Sequence, residues 1–379
     1  MISITYLSFD SLQEGVGASQ VLSYMTEVGK TRPVTLISFE KIMPSDKFKL
    51  DVQQAGVAWL PLPFGKFGPL GGLLRILRMA RKVDKEQIVH ARGALSGLSA
   101  LISGSSLWVW DCRSLHADQR RALKSKHRIS IGFLLMRICE YVLAKQSTAI
   151  ITITNAVVPV FISRYKIKRE KITVIPTCVD TVKFFPIKSP KSSEVKILLQ
   201  GTFSPAYDLQ MMNLLISEMK KHSKVLVTIA ASQGSTMHWD QIPYDILVSV
   251  THDEMPELIQ RHDIGMSIWK DDLGVSLLSV ASTKTAEFLA CGKPIFVNSM
   301  QGDYGLLVSK SNVGVVTSRN SPQHISRYAE QMLSLLNDPD VSTRCRSVSE
   351  AELNLLHGID KLLKIYSSLE MRSKFYSLD

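Results

Sequence analysis

The chain has 379 residues, 45% hydrophobic and 21% charged, which is the balance of a globular protein large enough for two domains. Its five cysteines are odd in number and lack paired spacing, which argues against a disulfide framework or a zinc site and favours a reducing compartment. The net charge of +11 is unevenly placed: residues 1–190 hold 27 Lys and Arg against 13 Asp and Glu, or +14, and the remaining residues contribute −3.

The first residues predict a strand, a glycine loop and a helix. Ile2–Phe9 has the alternation of a strand, the loop that follows holds Gly15 and Gly17, and Ala18–Lys30 has helical apolar spacing. A Gly-x-Gly pair is common in loops, and the third glycine of the dinucleotide fingerprint is missing. We therefore predict no NAD site.

Short apolar runs then alternate with helical segments, which predicts a parallel sheet covered on both faces. Ligands of such sheets bind beyond the carboxyl ends of the strands, where His90-Ala91-Arg92 and Asp111-Cys112-Arg113 follow two runs. These side chains are candidates for a site. They could equally be a satisfied core histidine and a structural ion pair. The apolar runs are Val34–Phe39, Val57–Leu60, Gln87–Ala91, Leu107–Trp110, Ala149–Thr154 and Ile172–Ile175.

The proline-containing segment 180–193 reads as a linker, and the strand and helix alternation resumes after it. This second half begins with a strand that leads into the loop Gly201-Thr202-Phe203, and a last helix is predicted near Ile359–Tyr376. Two Rossmann-like halves are therefore expected. The strands of the second half are predicted at Val195–Gln200, Val225–Ala230, Ile246–Val250, Ile264–Ile268 and Ile295–Val297.

A short helix is predicted between Ser282 or Thr283, either of which suits an N-cap, and Gly292, which suits the left-handed residue beyond its end. Lys284 and Glu287 share one face of its first turns, where unpaired amides attract anions. A diphosphate and the paired hydroxyls of a ribose fit this chemistry. The alternative is an ordinary surface Lys–Glu pair.

The run from Glu287 to Pro294, Glu-Phe-Leu-Ala-Cys-Gly-Lys-Pro, resembles the donor helix of glycosyltransferase family 4 and related GT-B enzymes. The resemblance implies that Glu287 holds the nucleotide ribose. His-Ala-Arg at 90–92, Asp-x-Arg at 111–113, the glycine loop and Val-Ile-Pro-Thr-Cys-Val-Asp at 174–180 are also similar to family motifs. The family implies an α/β GT-B fold of two Rossmann-like domains across a cleft, with a C-terminal helix that returns to the first.

The sequence departs from the family pattern at three places. Ser279 stands where many members have a first glutamate, Gly201–Tyr207 lacks the Arg and Lys that grip the diphosphate, and Thr177 and Cys178 replace the usual Asn-Gly. Lys284 or Arg113 could take over the phosphate role.

We therefore predict an acceptor-binding domain at 1–185, a nucleotide-sugar domain at 186–355 and a returning helix at 356–379. The predicted reaction moves a sugar from a UDP- or GDP-sugar to an acceptor hydroxyl, with the retention that the family implies, in surface polysaccharide, lipopolysaccharide or glycolipid biosynthesis. The alternatives are a sugar-nucleotide 2-epimerase of the same fold and an inactive scaffold or partner subunit.

The predicted catalytic residues are those that stabilise the leaving diphosphate or orient the sugar or acceptor: His90, Asp111, Arg113 and Lys284. The predicted donor-binding residues are Gly15, Gly17, Gly201, Thr202, Ser282, Thr283, Lys284 and Glu287. No cofactor or metal is predicted, because Asp338-Pro339-Asp340 lies between helical stretches and has the chemistry of a turn.

Neither a signal peptide nor the ~18 uninterrupted apolar residues of a spanning helix is recognisable. The basic first half could face nucleic acid, an anionic substrate, a membrane surface or only solvent. The helix predicted at 70–85 carries Leu73, Leu74, Leu77 and Ala80 on one side and basic residues elsewhere, and Arg120–Arg128 is a second basic cluster. We predict a cytoplasmic enzyme on the inner face of the membrane, with a glycan or lipid-linked acceptor and no nucleic acid partner. The alternative is that this helix only packs on its sheet.

Overall fold

The computed structural model describes residues 1–13, 15–65, 68–124, 131–187, 193–201, 204–231, 241–318 and 324–376. The chain divides into two compact units. The first unit consists of Met1–Arg121, His127–Pro176 and Leu356–Asp379, and the second of Ala122–Lys126 and Thr177–Leu355. The division falls after Pro176, so the first residues of the predicted linker lie in the second unit.

The first unit is built on a seven-stranded parallel sheet of order β3-β2-β1-β4-β5-β6-β7. Its central strands are buried on both faces, which is why they read as continuous apolar runs. Its strands are β1 Ile4–Ser8, β2 Val34–Glu40, β3 Val57–Pro63, β4 Ile88–Arg92, β5 Trp108–Cys112, β6 Ala149–Thr152 and β7 Ile172–Val174.

Helices connect these strands, and the first is entered through a π-helical turn at Gly17–Leu22. The helices are α1 Ser23–Gly29, α2 Asp46–Gln54, α3 Gly71–Ala80, α4 Gly93–Ser103, α5 His116–Lys124, α6 Ile131–Gln146 and α7 Val158–Tyr165. Along one side of the sheet, α3 packs beside α4 and α4 beside α6.

The second unit is built on a six-stranded parallel sheet of order β10-β9-β8-β11-β12-β13. Its strands are β8 Glu194–Gln200, β9 Lys224–Ala230, β10 Ile246–Val248, β11 Ile264–Ser267, β12 Ile295–Asn298 and β13 Gly314–Thr317. Its helices are α8 Leu209–His222, α9 Met255–Gln260, α10 Thr283–Ala290, α11 Tyr304–Ser311, α12 Ile325–Asn337 and α13 Val341–Glu352.

The last helix, α14 Leu355–Tyr376, belongs to the first unit from Leu356 onward. Arg32, 7% exposed, donates from its two terminal nitrogens to Glu370 and to Ser367 of α14, each at 2.9 Å. A partly buried charge-assisted pair of this kind fixes the helix on the unit.

The two parallel sheets confirm the predicted fold class, and all twelve predicted strands are present. The strand β13 was not predicted. On α3, Leu73 and Leu74 of the predicted apolar side are exposed, and the buried side chains include Ile76 and Met79. Apolar residues surround most of this helix, so periodicity alone leaves its buried side undetermined.

Candidate active site

The helix α10 is positioned by close packing on the second sheet. The ring of Phe288 lies against β11 so tightly that a Cβ on Gly265 would be 2.7 Å from it. Ser282 stands at the N-cap and Gly292 is left-handed at φ +71°. The predicted helix limits are thus confirmed, and Ser282 and Thr283 lie at the end where backbone amides lack helical partners.

Lys284 is held in place rather than extended into solvent. It is 8% exposed, and its Nζ donates to the Tyr207 hydroxyl at 2.5 Å and lies 4.6 Å from the centre of that ring. Gly201, at φ +101°, lies beneath it, and a Cβ there would be 3.0 Å from the Lys284 Cε. The positive φ favours glycine at this position, and the absence of a Cβ leaves room for the lysine side chain.

Glu287 is 7% exposed and lies one turn deeper on the same helix face. Its Oε2 accepts a hydrogen bond from Gln200 Nε2 at 2.5 Å. Burial raises the pKa of Glu287, while the Gln200 bond and the Lys284 charge act in the opposite direction. Both side chains are buried and bonded to other strands or loops, so the surface ion pair considered for the sequence is not what the structure contains.

Two neighbouring positions complete the description of this helix. Ser279, which stands where many family members have a glutamate, is 4% exposed and donates its hydroxyl to the Ser276 carbonyl at 2.8 Å. Thr202, predicted to bind the donor, lies outside the described residues. The site residues predicted in the first unit form a cluster of their own.

That cluster is centred on Asp111, which is fully buried at the end of β5. Arg113 Nε lies 2.8 Å from its Oδ1, and His90 Nε2 and Arg92 Nη1 lie 3.3 and 3.8 Å from its Oδ2. Burial opposes ionisation, but these neighbours outweigh it and hold the pKa of Asp111 well below its usual range. Asp111 is therefore a carboxylate that orients Arg113, whereas Arg92 donates from its Nε to Asp10 at 2.9 Å.

His90 is 1% exposed, and both its ring nitrogens are occupied. Its Nε2–H donates a hydrogen bond to the Asp111 carboxylate, so its Nδ1 accepts one from the Tyr366 hydroxyl of α14 at 2.8 Å. Tyr6 stacks on the ring at 4.4 Å. Burial lowers the pKa of His90, so the ring is neutral. In this arrangement His90 positions Asp111 and secures α14.

We expect Tyr366→Phe to destabilise the protein by about 1 to 3 kcal/mol, because it leaves the buried Nδ1 of His90 without a donor. Thermal unfolding of the full chain measures the change. The matched control is Tyr141→Phe on α6, where the ring is 44% exposed. Equal melting of the two variants would contradict the buried bond.

The glycine loop has a separate anchor that the sequence did not reveal. The carboxylate of Glu40, 1% exposed, accepts from the Leu12 amide at 3.1 Å and from the Ser11 hydroxyl at 2.5 Å. Gly15 is left-handed at φ +55°, and a Cβ on Gly17 would lie 1.7 Å from the Ser11 carbonyl oxygen. Both glycines are therefore required by the loop backbone itself.

Several residues of the two clusters were not singled out from the sequence. Arg92 could have been found from the sequence, because it ends the triplet His90-Ala91-Arg92 at a strand terminus. Gln200 and Tyr207 could also have been found, because they flank the Gly201 loop. No sequence pattern pointed to Tyr366.

As predicted, Asp338 forms a turn, since it accepts a hydrogen bond from the Asp340 amide at 2.9 Å and pairs with Arg344 at 2.6 Å.

Solved structures with this fold cover nearly the whole chain. Sucrose-phosphate synthase from Thermosynechococcus elongatus has a TM-score of 0.72 at 12% identity, covering 98% of this chain and 100% of that one. Anabaena HepE in complex with UDP and glucose has a TM-score of 0.69 at 14% identity, with 97% and 100% covered. WaaG, a glycosyltransferase involved in lipopolysaccharide biosynthesis, has a TM-score of 0.63 at 13% identity, with 96% and 99% covered. The fold is therefore GT-B.

A family model also matches part of the chain. Residues 33–183 match the model of Glycosyltransferase Family 4. This match confirms the predicted resemblance, and together with the fold it supports glycosyltransferase activity. No curated protein sequence matches the chain.

Proposed function

We propose that this protein transfers a sugar from a nucleoside diphosphate to an acceptor hydroxyl with retention at the anomeric carbon. The observation that carries the proposal is the face of α10, where a buried ammonium and a buried carboxylate lie one turn apart beside helix-end amides. Lys284 and the amides suit the diphosphate, and Glu287 suits the ribose hydroxyls. We assign the donor to the second unit and the acceptor to the first.

In this proposal the chain stabilises charge that develops on the leaving diphosphate. The Tyr207 hydroxyl holds the Lys284 ammonium at 2.5 Å before the donor arrives, so little reorganisation is needed during the reaction. Arg113, whose side chain is 17% exposed, supplies a second positive charge with its orientation set by Asp111. Asp111 and His90 act as positioning residues. No metal is included, because Lys284 supplies a fixed positive charge.

The donor is proposed to be a UDP- or GDP-sugar. HepE structures were obtained with UDP and with UDP-glucose, and an E. coli relative of similar fold with UDP-2-fluoro glucose, which favours trying uridine donors first. Incubation with a panel of nucleotide sugars and glycan or lipid-linked acceptors tests the proposal. Acceptor-dependent release of nucleotide is expected. An epimerised donor would indicate a 2-epimerase, and binding without turnover would indicate a scaffold subunit.

We also propose that the first unit attaches to the anionic inner face of the membrane, where a lipid-linked or surface-glycan acceptor would lie. The helix α6 has apolar residues in solvent along one side: Ile131, Leu134, Leu135 and Ile138 are 51–80% exposed. Exposed Arg120 and Arg121 on α5 precede it. Apolar side chains beside basic ones suit an anionic interface, at about 1 kcal/mol for each basic residue.

No helix in the described ranges is long and apolar enough to span a bilayer.

The double variant Leu134→Glu, Leu135→Glu should reduce vesicle binding about tenfold or more, because two leucines that enter the interface become charged and are repelled by anionic lipid. Flotation with vesicles of anionic phospholipid at low salt measures it. Leu214→Glu on α8 is the control, since Leu214 is 41% exposed in the second unit. If the wild-type protein does not float with these vesicles, the proposed attachment is wrong.

A further inference from the structure

The first unit contains a cavity of about 470 Å³ whose walls belong to residues that no role in the proposed reaction uses. The segments that precede β6 and β7 form one wall, so the cavity lies at the edge of the sheet opposite the strand ends that carry Arg92 and Asp111. The helix α14 forms the other wall through Ile365, Leu369 and Arg372.

The charge of this cavity is strongly positive. Lys145, Lys168, Lys171 and Arg372 line it, and Glu170 is the acidic residue among its lining side chains. Lys171 Nζ donates to the carbonyls of Ala144 and Lys145 at 2.7 and 2.8 Å, which fixes this ammonium at the C-terminal end of α6. Burial, together with the charges of Lys145 and Arg372, lowers the pKa of Lys171 to about 8. An anion in the cavity would relieve this crowding of positive charge.

Ser147, a residue of the cavity lining, carries a buried hydroxyl. Ser147 is 3% exposed, and its Oγ has no hydrogen-bond partner among the described residues. Two other hydroxyls of the lining are already used, since Thr148 donates to the Ser106 carbonyl at 3.1 Å and Ser368 to the Ile365 carbonyl at 2.8 Å. A buried hydroxyl without a partner is uncommon in folded proteins and indicates a missing acceptor or donor.

We propose that this cavity is a binding site for a soluble phosphate monoester, distinct from the nucleotide-sugar site. A phosphate offers several acceptor oxygens and up to two negative charges, which match a guanidinium, ammonium groups and one hydroxyl. The volume suits a small organic ester.

A ligand in this site would join α14 to the segments before β6 and β7. Ile365 and Arg372 of the cavity lining lie on α14. Tyr366, which follows Ile365 in the chain, forms a hydrogen bond with His90 at 2.8 Å. Occupancy should therefore stabilise the docking of α14 as well as the cavity itself. The proposal predicts that phosphate esters raise the thermal stability of the full chain.

Calorimetric titration with inorganic phosphate and with glycerol 3-phosphate, beside a thermal melt, tests the site. Arg372→Gln and Lys168→Gln should each weaken binding about tenfold or more, because each removes a charged hydrogen-bond donor. Ser147→Ala should weaken it about two- to tenfold and hardly change the melting temperature without ligand. Lys82→Gln, which removes one exposed positive charge at the end of α3, is the matched control and should bind as the wild type does.

The same titration on Lys284→Met separates this site from the donor helix, since that variant should retain the binding. A phosphate carried by a lipid headgroup has the same chemistry, and flotation with phosphatidate vesicles distinguishes that source. Binding to vesicles that Arg372→Gln abolishes, with no response to glycerol 3-phosphate, would overturn the soluble ligand. Absence of any phosphate binding at millimolar concentration, or full affinity in the Arg372→Gln, Lys168→Gln double variant, would overturn the site.

Discussion

Glu287→Gln should weaken binding of the nucleoside diphosphate by about 1.5 to 3 kcal/mol, or roughly tenfold to a hundredfold. The substitution keeps the size of the side chain but removes the negative charge that strengthens hydrogen bonds from the ribose hydroxyls. Calorimetric titration with UDP and GDP measures the loss. Glu257→Gln on α9 is the control, because Glu257 has a side chain that is 67% exposed and pairs with Arg261.

Stability should hardly change in Glu287→Gln. Burial raises the pKa of Glu287, which means that the folded state disfavours its charged form relative to the unfolded chain. At neutral pH, an amide in place of this carboxylate removes the cost of burying a negative charge. The amide oxygen can still accept the hydrogen bond that Gln200 donates to Oε2. Wild-type affinity in a normally folded Glu287→Gln protein would contradict the assignment of α10 to the donor.

Lys284→Met should lower kcat about a hundredfold and weaken donor binding less than tenfold. The ammonium matters most as charge develops on the departing diphosphate, so its loss affects the transition state more than the bound donor. Met is chosen because it fills much of the space between Gly201 and Tyr207 that the lysine occupies. Initial rates over a range of donor concentrations give kcat and KM separately.

The control for this variant is Lys310→Met, which removes an exposed positive charge at the end of α11 in the same unit. Its kinetics should match those of the wild type. A rise in KM with unchanged kcat in Lys284→Met would assign the lysine to ground-state binding of the donor. No change in either parameter would remove Lys284 from the site.

The sequence by itself determined the two parallel sheets and the limits of α10. These features have local signals, because strands buried on both faces appear as short apolar runs and because Gly292 and Pro294 end a helix whatever surrounds it. The strand β13 was missed, since it begins at Gly314 just after Ser311-Asn312, and this run of residues indicates a turn. The family motifs added the fold class and the position of Glu287.

Only the tertiary structure decided what these residues contact. Lys284 bonds to a residue 77 positions away, and His90 to one 276 positions away, and no periodicity encodes such pairs. The same holds for α3 and α6, since their neighbours in the fold decide which apolar side chains are buried and which remain in solvent. Local preference thus places a residue on an element, but the packing of distant elements decides whether its charge is exposed, paired or held for a ligand.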